Sequence, residues 1–75
     1  MKRFDLCIII KEDLYIDSYA FILDIETDYF LMEIWNFEKF KGANIARIKK
    51  GNLRLATEEE IKEYQIKFKD YCDNN

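Results

Sequence analysis

Seventy-five residues with a net charge of −3 make room for a single domain over 1–75, and an apolar share of 49% with 16% aromatics excludes a disordered chain. The sequence has no histidine and no Cys-x-x-Cys pair, which argues against zinc sites and thiol–imidazole catalysis. No glycine-rich phosphate loop or nucleophile elbow occurs, so the expectation is a protein that is not an enzyme and needs no cofactor or metal.

The chain opens with "RFDLCIIIK", residues 3–11. Its isoleucines fall on both faces, which predicts a strand covered on two sides. The apolar run is too short for a signal peptide or a membrane span, so a cytoplasmic location is expected, in the host cell if the chain is phage-encoded. Cys7 and Cys72 lie far apart in sequence. They read as two small apolar residues, with a disulfide between them left open.

After a polar connection, "YAFILDIE" (19–26) alternates with period two. Tyr19, Phe21, Leu23 and Ile25 share one face, and Ala20, Ile22, Asp24 and Glu26 the other. "TD" makes a turn into "YFLMEIWNF" (29–37), a third strand paired with the second. "IARIKK" and "LRLA" flank "GN", which predicts a hairpin of strands 44–50 and 53–56 with a two-residue type II′ turn. That register sets Lys49 opposite Arg54 and gathers Arg47, Lys49 and Arg54 on one face. Thr57 and Glu60 then form a capping box, with Glu58 and Glu59 in the first turn, opening a helix over 58–72. Ile61, Tyr64, Phe68 and Tyr71 form its apolar stripe, and residues 73–75 are expected to fray.

The fold class expected is α+β: an antiparallel four- to five-stranded curled sheet or small barrel with one C-terminal helix. Its core would take Phe4, Leu6, Ile8, Phe21, Leu23, Ile25, Phe30, Met32, Ile34, Ile48, Leu53, Leu55, Ile61, Tyr64 and Phe68.

Charge is segregated along the chain. Glu12 to Glu38 holds eight acids and no base, and Lys39 to Arg54 holds six bases and no acid. Three surfaces compete as binding sites. The acidic residues Asp24, Glu26, Asp28 and Glu33, with Tyr29 and Trp35 as exposed aromatics, would engage a basic protein surface, such as that of a nucleic-acid-binding defence effector. Against this stands ordinary solubility charge. The Arg47, Lys49, Arg54 face would bind nucleic acid, but alternation in a solvated sheet explains the same pattern, and the excess of acids opposes such binding. Trp35, Tyr29 and Leu31 form either an exposed apolar patch or part of the core, and the patch leaves room for a homodimer or a structural, accessory subunit. Nothing suggests a membrane partner.

"LRLATEEEI", residues 53–61, resembles the close of a recurring type of small phage and mobile-element protein, YopX-like phage proteins among them, in which a last strand is followed by "R-x-A-T-x-E-E-I" and a helix. The resemblance covers nine of the seventy-five residues. It implies a small barrel of non-enzymatic role and carries over no functional residue. Such proteins commonly bind host machinery, so the function expected is a small protein-binding module, including a phage or mobile-element inhibitor of a host defence protein in an anti-CRISPR-like or other anti-defence role.

Overall fold

A computed structural model describes residues 1–74. Five strands run in chain order: β1 (Leu6–Ile9), β2 (Tyr19–Ile25), β3 (Tyr29–Trp35), β4 (Ala43–Lys49) and β5 (Leu53–Leu55). One helix, α1 (Glu58–Asp73), follows. All neighbouring strands are antiparallel, in the spatial order β4-β3-β2-β1-β5, so the fold is α+β as expected.

One connection shapes the sheet. β4 and β5 occupy opposite edges, yet only a single 3-10 turn, Lys50–Asn52, joins them. A flat five-stranded sheet would hold its edges roughly 19 Å apart, at about 4.8 Å per strand. The sheet therefore curls until its edges approach, without closing a β4–β5 ladder. The predicted "GN" hairpin does not form. β4 pairs with β3, and β5 crosses to pair with β1, Cys7 opposite Leu55 and Ile9 opposite Leu53. The type II′ expectation weighed local turn chemistry alone; β1, apolar on both faces, needed a second neighbour, and β5 supplies it.

Curling gives the sheet an inside. Cys7, Ile9, Ala20, Ile22, Phe30, Met32, Ile34, Ile48 and Leu53 form one buried cluster there. Each large aliphatic side chain fully buried in it contributes about 1.5–3 kcal/mol. Tyr15 of the β1–β2 loop meets Phe40 of the β3–β4 loop edge to face, ring centroids 6.2 Å apart, and both pack on that cluster. Asn36 joins the same loops: its Oδ1 accepts from the Glu38 and Lys39 amides, and its Nδ2 donates to buried Ser18 Oγ at 3.1 Å.

The outer face carries the helix. Leu6, Ile8, Tyr19 and Tyr64 are buried between them, with Phe21, Trp35, Phe37, Ala56 and Phe68 packed around. Six of these nine residues are aromatic, and Phe21 and Tyr19 both meet the Tyr64 ring edge-on, at 5.1 and 5.5 Å. β1 is thus buried on both sides, as its composition required.

Two further expectations change. The strict alternation of β2 breaks at a bulge between Ile22 and Asp24, so Asp24 pairs with Leu31 and Ile25 with Phe30. Ile25 moves to the inner face, at its exposed end. Phe4, Ile25, Leu55 and Ile61, all expected in the core, are exposed; Phe4 is 72% accessible and holds a left-handed backbone at φ 69°. Instead Cys7, Ile9, Tyr19, Ala20 and Ile22 are core. At the helix end Asn74 is held, its backbone N–H and Nδ2 both donating to Asp70 O, at 3.1 and 2.8 Å; of the expected fraying segment, Asn75 lies outside the described residues.

Candidate functional site

The helix covers only part of the outer face. The β3–β4 ladder continues past it as a series of rungs: Trp35 opposite Ala43, Glu33 opposite Ile45, Leu31 opposite Arg47 and Tyr29 opposite Lys49. Trp35 lies under the helix, stacked on Phe37 at 5.7 Å and edge-on to Phe68 and Tyr71. It belongs to the core and is no exposed anchor. Its Nε1 is buried with no hydrogen-bond partner among the described residues. The other rungs are open on the β4 side, while Leu31 and Glu33 on β3 are half-buried. Ile45, on the edge strand, is 58% accessible, and Tyr29, Arg47 and Lys49 are exposed.

β4 also has a free edge. The Lys50 N–H donates to Asp28 O at 3.2 Å. In an antiparallel ladder this makes Tyr29/Lys49, and every second rung from it, a pair whose own backbone groups point away from the partner strand. Ala43, Ile45, Arg47 and Lys49 therefore turn their N–H and C=O groups outward. This seven-residue edge has no bulge in its pairing with β3.

The charges that looked segregated in sequence are partners in space. Arg47 Nε donates to both carboxylate oxygens of Glu26 at 3.0 Å, and Arg3 pairs with Asp24 at 3.1 Å. Asp24 and Glu26 are thus engaged, whereas Asp28 and Glu33 make no ion pair among the described residues.

The predicted basic face is divided. Arg47 and Lys49 share the outer face of β4. Arg54 lies at the opposite edge of the sheet, where its guanidinium forks onto Glu60, both bonds 2.7 Å. Glu60 also accepts the Thr57 N–H at 2.9 Å, while Thr57 Oγ1 accepts the Glu60 N–H at 3.2 Å. The Arg54 fork and the Thr57 cap hold the Glu60 carboxyl down at about 2. The features behind the resemblance, Arg54, Thr57 and Glu60 of "RLATEEEI", are a strand-to-helix clasp.

Other titratable groups serve packing. Tyr19 donates to Glu63, which burial and that bond accompany with a strongly raised hydroxyl pKa, and the same bond, with Lys67, lowers Glu63. Burial pushes the Cys7 thiol up to about 11, the opposite of an activated nucleophile. Cys7 is buried and Cys72 exposed, both free. Among the described residues no group of three His, Cys, Asp or Glu is placed to hold a metal, and no helix is long and apolar enough to cross a membrane.

One feature escaped the sequence reading. Lys11, Lys49 and Lys50 come together with Asp28, Tyr29 and Asn52 around an open cavity of about 480 Å³. Lys49–Lys50 was visible as a pair, but Lys11 is 38 positions away, and only the β5 crossover brings it there. The chain matches no protein-family model, no curated protein and no solved structure.

Proposed function

We propose that this chain is a non-enzymatic protein-binding module that takes up an extended segment of its partner along β4. The single observation that carries this reading is the open rung series beside the helix. There Ile45, Leu31 and Tyr29 present apolar surface next to a free strand edge with four outward backbone positions. Long uncovered edges invite strand addition, in which main-chain bonds give affinity and alternate side chains give specificity. The chemistry of the occupant follows from the edge: an apolar residue beside Ile45 and a carboxylate beside Lys49, whose ammonium has no ion-pair partner among the described residues. A second copy of the chain fits less well, because it would bring Arg47 and Lys49 of both copies onto one ladder. With Asp24 and Glu26 engaged by arginines, the acidic residues left to orient a partner are Asp28 and Glu33. The partner class that the residue 53–61 resemblance implies is a host protein, defence effectors included.

The test is a tagged pulldown from host lysate with and without nuclease, repeated with Ile45→Pro. Proline at this outward position removes no hydrogen bond that the sheet uses but blocks the edge. One protein recovered in both conditions by the parent and lost by a folded Ile45→Pro variant supports the reading. Retention of that protein by the variant overturns it. Recovery that disappears with nuclease moves the function to nucleic acid.

A further inference from the structure

Three segments meet where the β1–β2 loop begins, the β2–β3 turn closes and the 3-10 turn crosses to β5. Two backbone hydrogen bonds fix them there: Ile10 N–H to Asn52 O at 2.8 Å, and Lys50 N–H to Asp28 O at 3.2 Å. The 3-10 turn beside the cavity is therefore anchored on both sides. Lys11, Lys49 and Lys50, one or two from each side, line that cavity with Tyr29. Its volume, about 480 Å³, lies within the range of small-molecule sites.

The gathering of lysines sets this corner apart. The chain carries more acids than bases; its arginines are matched to carboxylates, Arg3 to Asp24, Arg47 to Glu26 and Arg54 to Glu60, and most lysines elsewhere also make no ion pair among the described residues. Here three lysines line one cavity with a single carboxylate residue, Asp28, and none of the three makes an ion pair among the described residues. Gathering like charges costs free energy that folding does not require. Lys50 lies over the Phe30 ring, Nζ 5.1 Å from the centroid, so its position is set by the core. Beside the lysines, the exposed Tyr29 ring offers a flat surface.

We infer that this corner binds a nucleotide unit, its phosphate among Lys11, Lys49 and Lys50 and its base against Tyr29. Lysines supply the point charges a phosphate takes, and an exposed aromatic ring supplies the stacking platform that single-stranded nucleic acids use. This site goes beyond the proposed protein-binding function. It shares Tyr29 and Lys49 with the open rungs, but its decisive residue, Lys11, lies outside them.

The test is fluorescence anisotropy with a labelled oligothymidylate of about twelve nucleotides, a length within single-strand site sizes, read against salt. One neutralised phosphate predicts a slope of log K against log salt of about −0.7. Lys11→Glu is expected to weaken binding at least tenfold and flatten the slope. Tyr29→Ala is expected to weaken it about 5- to 150-fold. Arg54→Gln, at the far edge, is expected to leave it unchanged. Amide shifts at Tyr29, Gly51 and Asn52 on adding adenosine 5′-monophosphate, beyond those with inorganic phosphate, would place the free nucleotide at the same site. Four results overturn the inference: no binding at low salt, Lys11→Glu without effect, Arg54→Gln as damaging as Lys11→Glu, or nucleotide shifts no larger than those of inorganic phosphate. None depends on Ile45→Pro, so this site and the strand edge fail separately.

Discussion

Replacing Glu60 tests whether the strand-to-helix clasp stabilises the fold. The carboxylate serves two neighbours at once, the Arg54 fork and the Thr57 N–H. A helix N-cap is worth about 1 kcal/mol, and the reciprocal half held by Glu60 is of the same order. In a domain of this size 1 kcal/mol moves the melting temperature by about 4–8 °C. Glu60→Ala should therefore lower Tm at neutral pH by at least about 4–8 °C. Glu60→Gln keeps an acceptor for Thr57 and loses only charge on the fork, so it should fall between. The pH dependence follows from the sign of the shift. The folded carboxyl is depressed from 4.5 to about 2, so its stabilisation is complete above the ordinary value. It is lost as pH falls from there through about 2. The gap in Tm between parent and Glu60→Ala should thus shrink over that window in melts followed by circular dichroism. Equal melting of all three at neutral pH, or a gap that persists undiminished at pH 2, would refute the clasp.

Trp35→Phe should cost less than about 1.5 kcal/mol in urea unfolding, because it removes an indole N–H that has no partner among the described residues, whereas Tyr64→Ala should cost about 3–5 kcal/mol. Comparable losses would show that the indole N–H is satisfied. Gly42→Ala should destabilise by about 1 kcal/mol, since φ is +72° there while the nearest atom to a new Cβ, Tyr71 Oη, is an ordinary 3.8 Å away. Gly51→Ala, with open space and no positive φ, should be neutral or stabilising; thermal melts of the pair check both. A thiol-reactive reagent should modify one cysteine per folded chain, Cys72, with Cys7 reacting only on unfolding; fast modification of both would contradict the burial of Cys7.

The parts of the fold legible in the sequence are those that local chemistry determines. Period-two runs located β2 and β3 to within two residues, and Thr57 with Glu60 located the helix start. The double-faced run around Ile8 marked a central strand. The misread parts are those where a distant segment decides. "GN" has hairpin chemistry, but β1 at the far side of the sheet offers β5 a better partner. The bulge at Leu23 and Asp24 follows from matching two strands whose apolar faces fall out of phase, and neither strand shows it alone. The candidate site divided in the same way. Alternation puts Arg47 with Lys49 and Tyr29 with Leu31, but as two separate surfaces that only the β3–β4 ladder joins, while Trp35 and Arg54 drop out because α1 covers one and captures the other. Lys11 was invisible as a site residue because only the crossover gives it neighbours.

The return of β5 to β1 also orders events in time. The β2–β3 and β3–β4 pairings close short loops and can form early. β1 and β5 are separated by more than forty residues, so their pairing must wait for a long loop to close, and such non-local ladders slow folding. The helix leaves the ribosome after all five strands, and its clasp partner Arg54 lies on β5. Until β5 and α1 are in place, one side of β1 and the sheet beneath α1 stand open to solvent. The nascent protein is then most exposed to wrong partners, and substitutions at Arg54 or Glu60 would lengthen that interval as well as lower final stability.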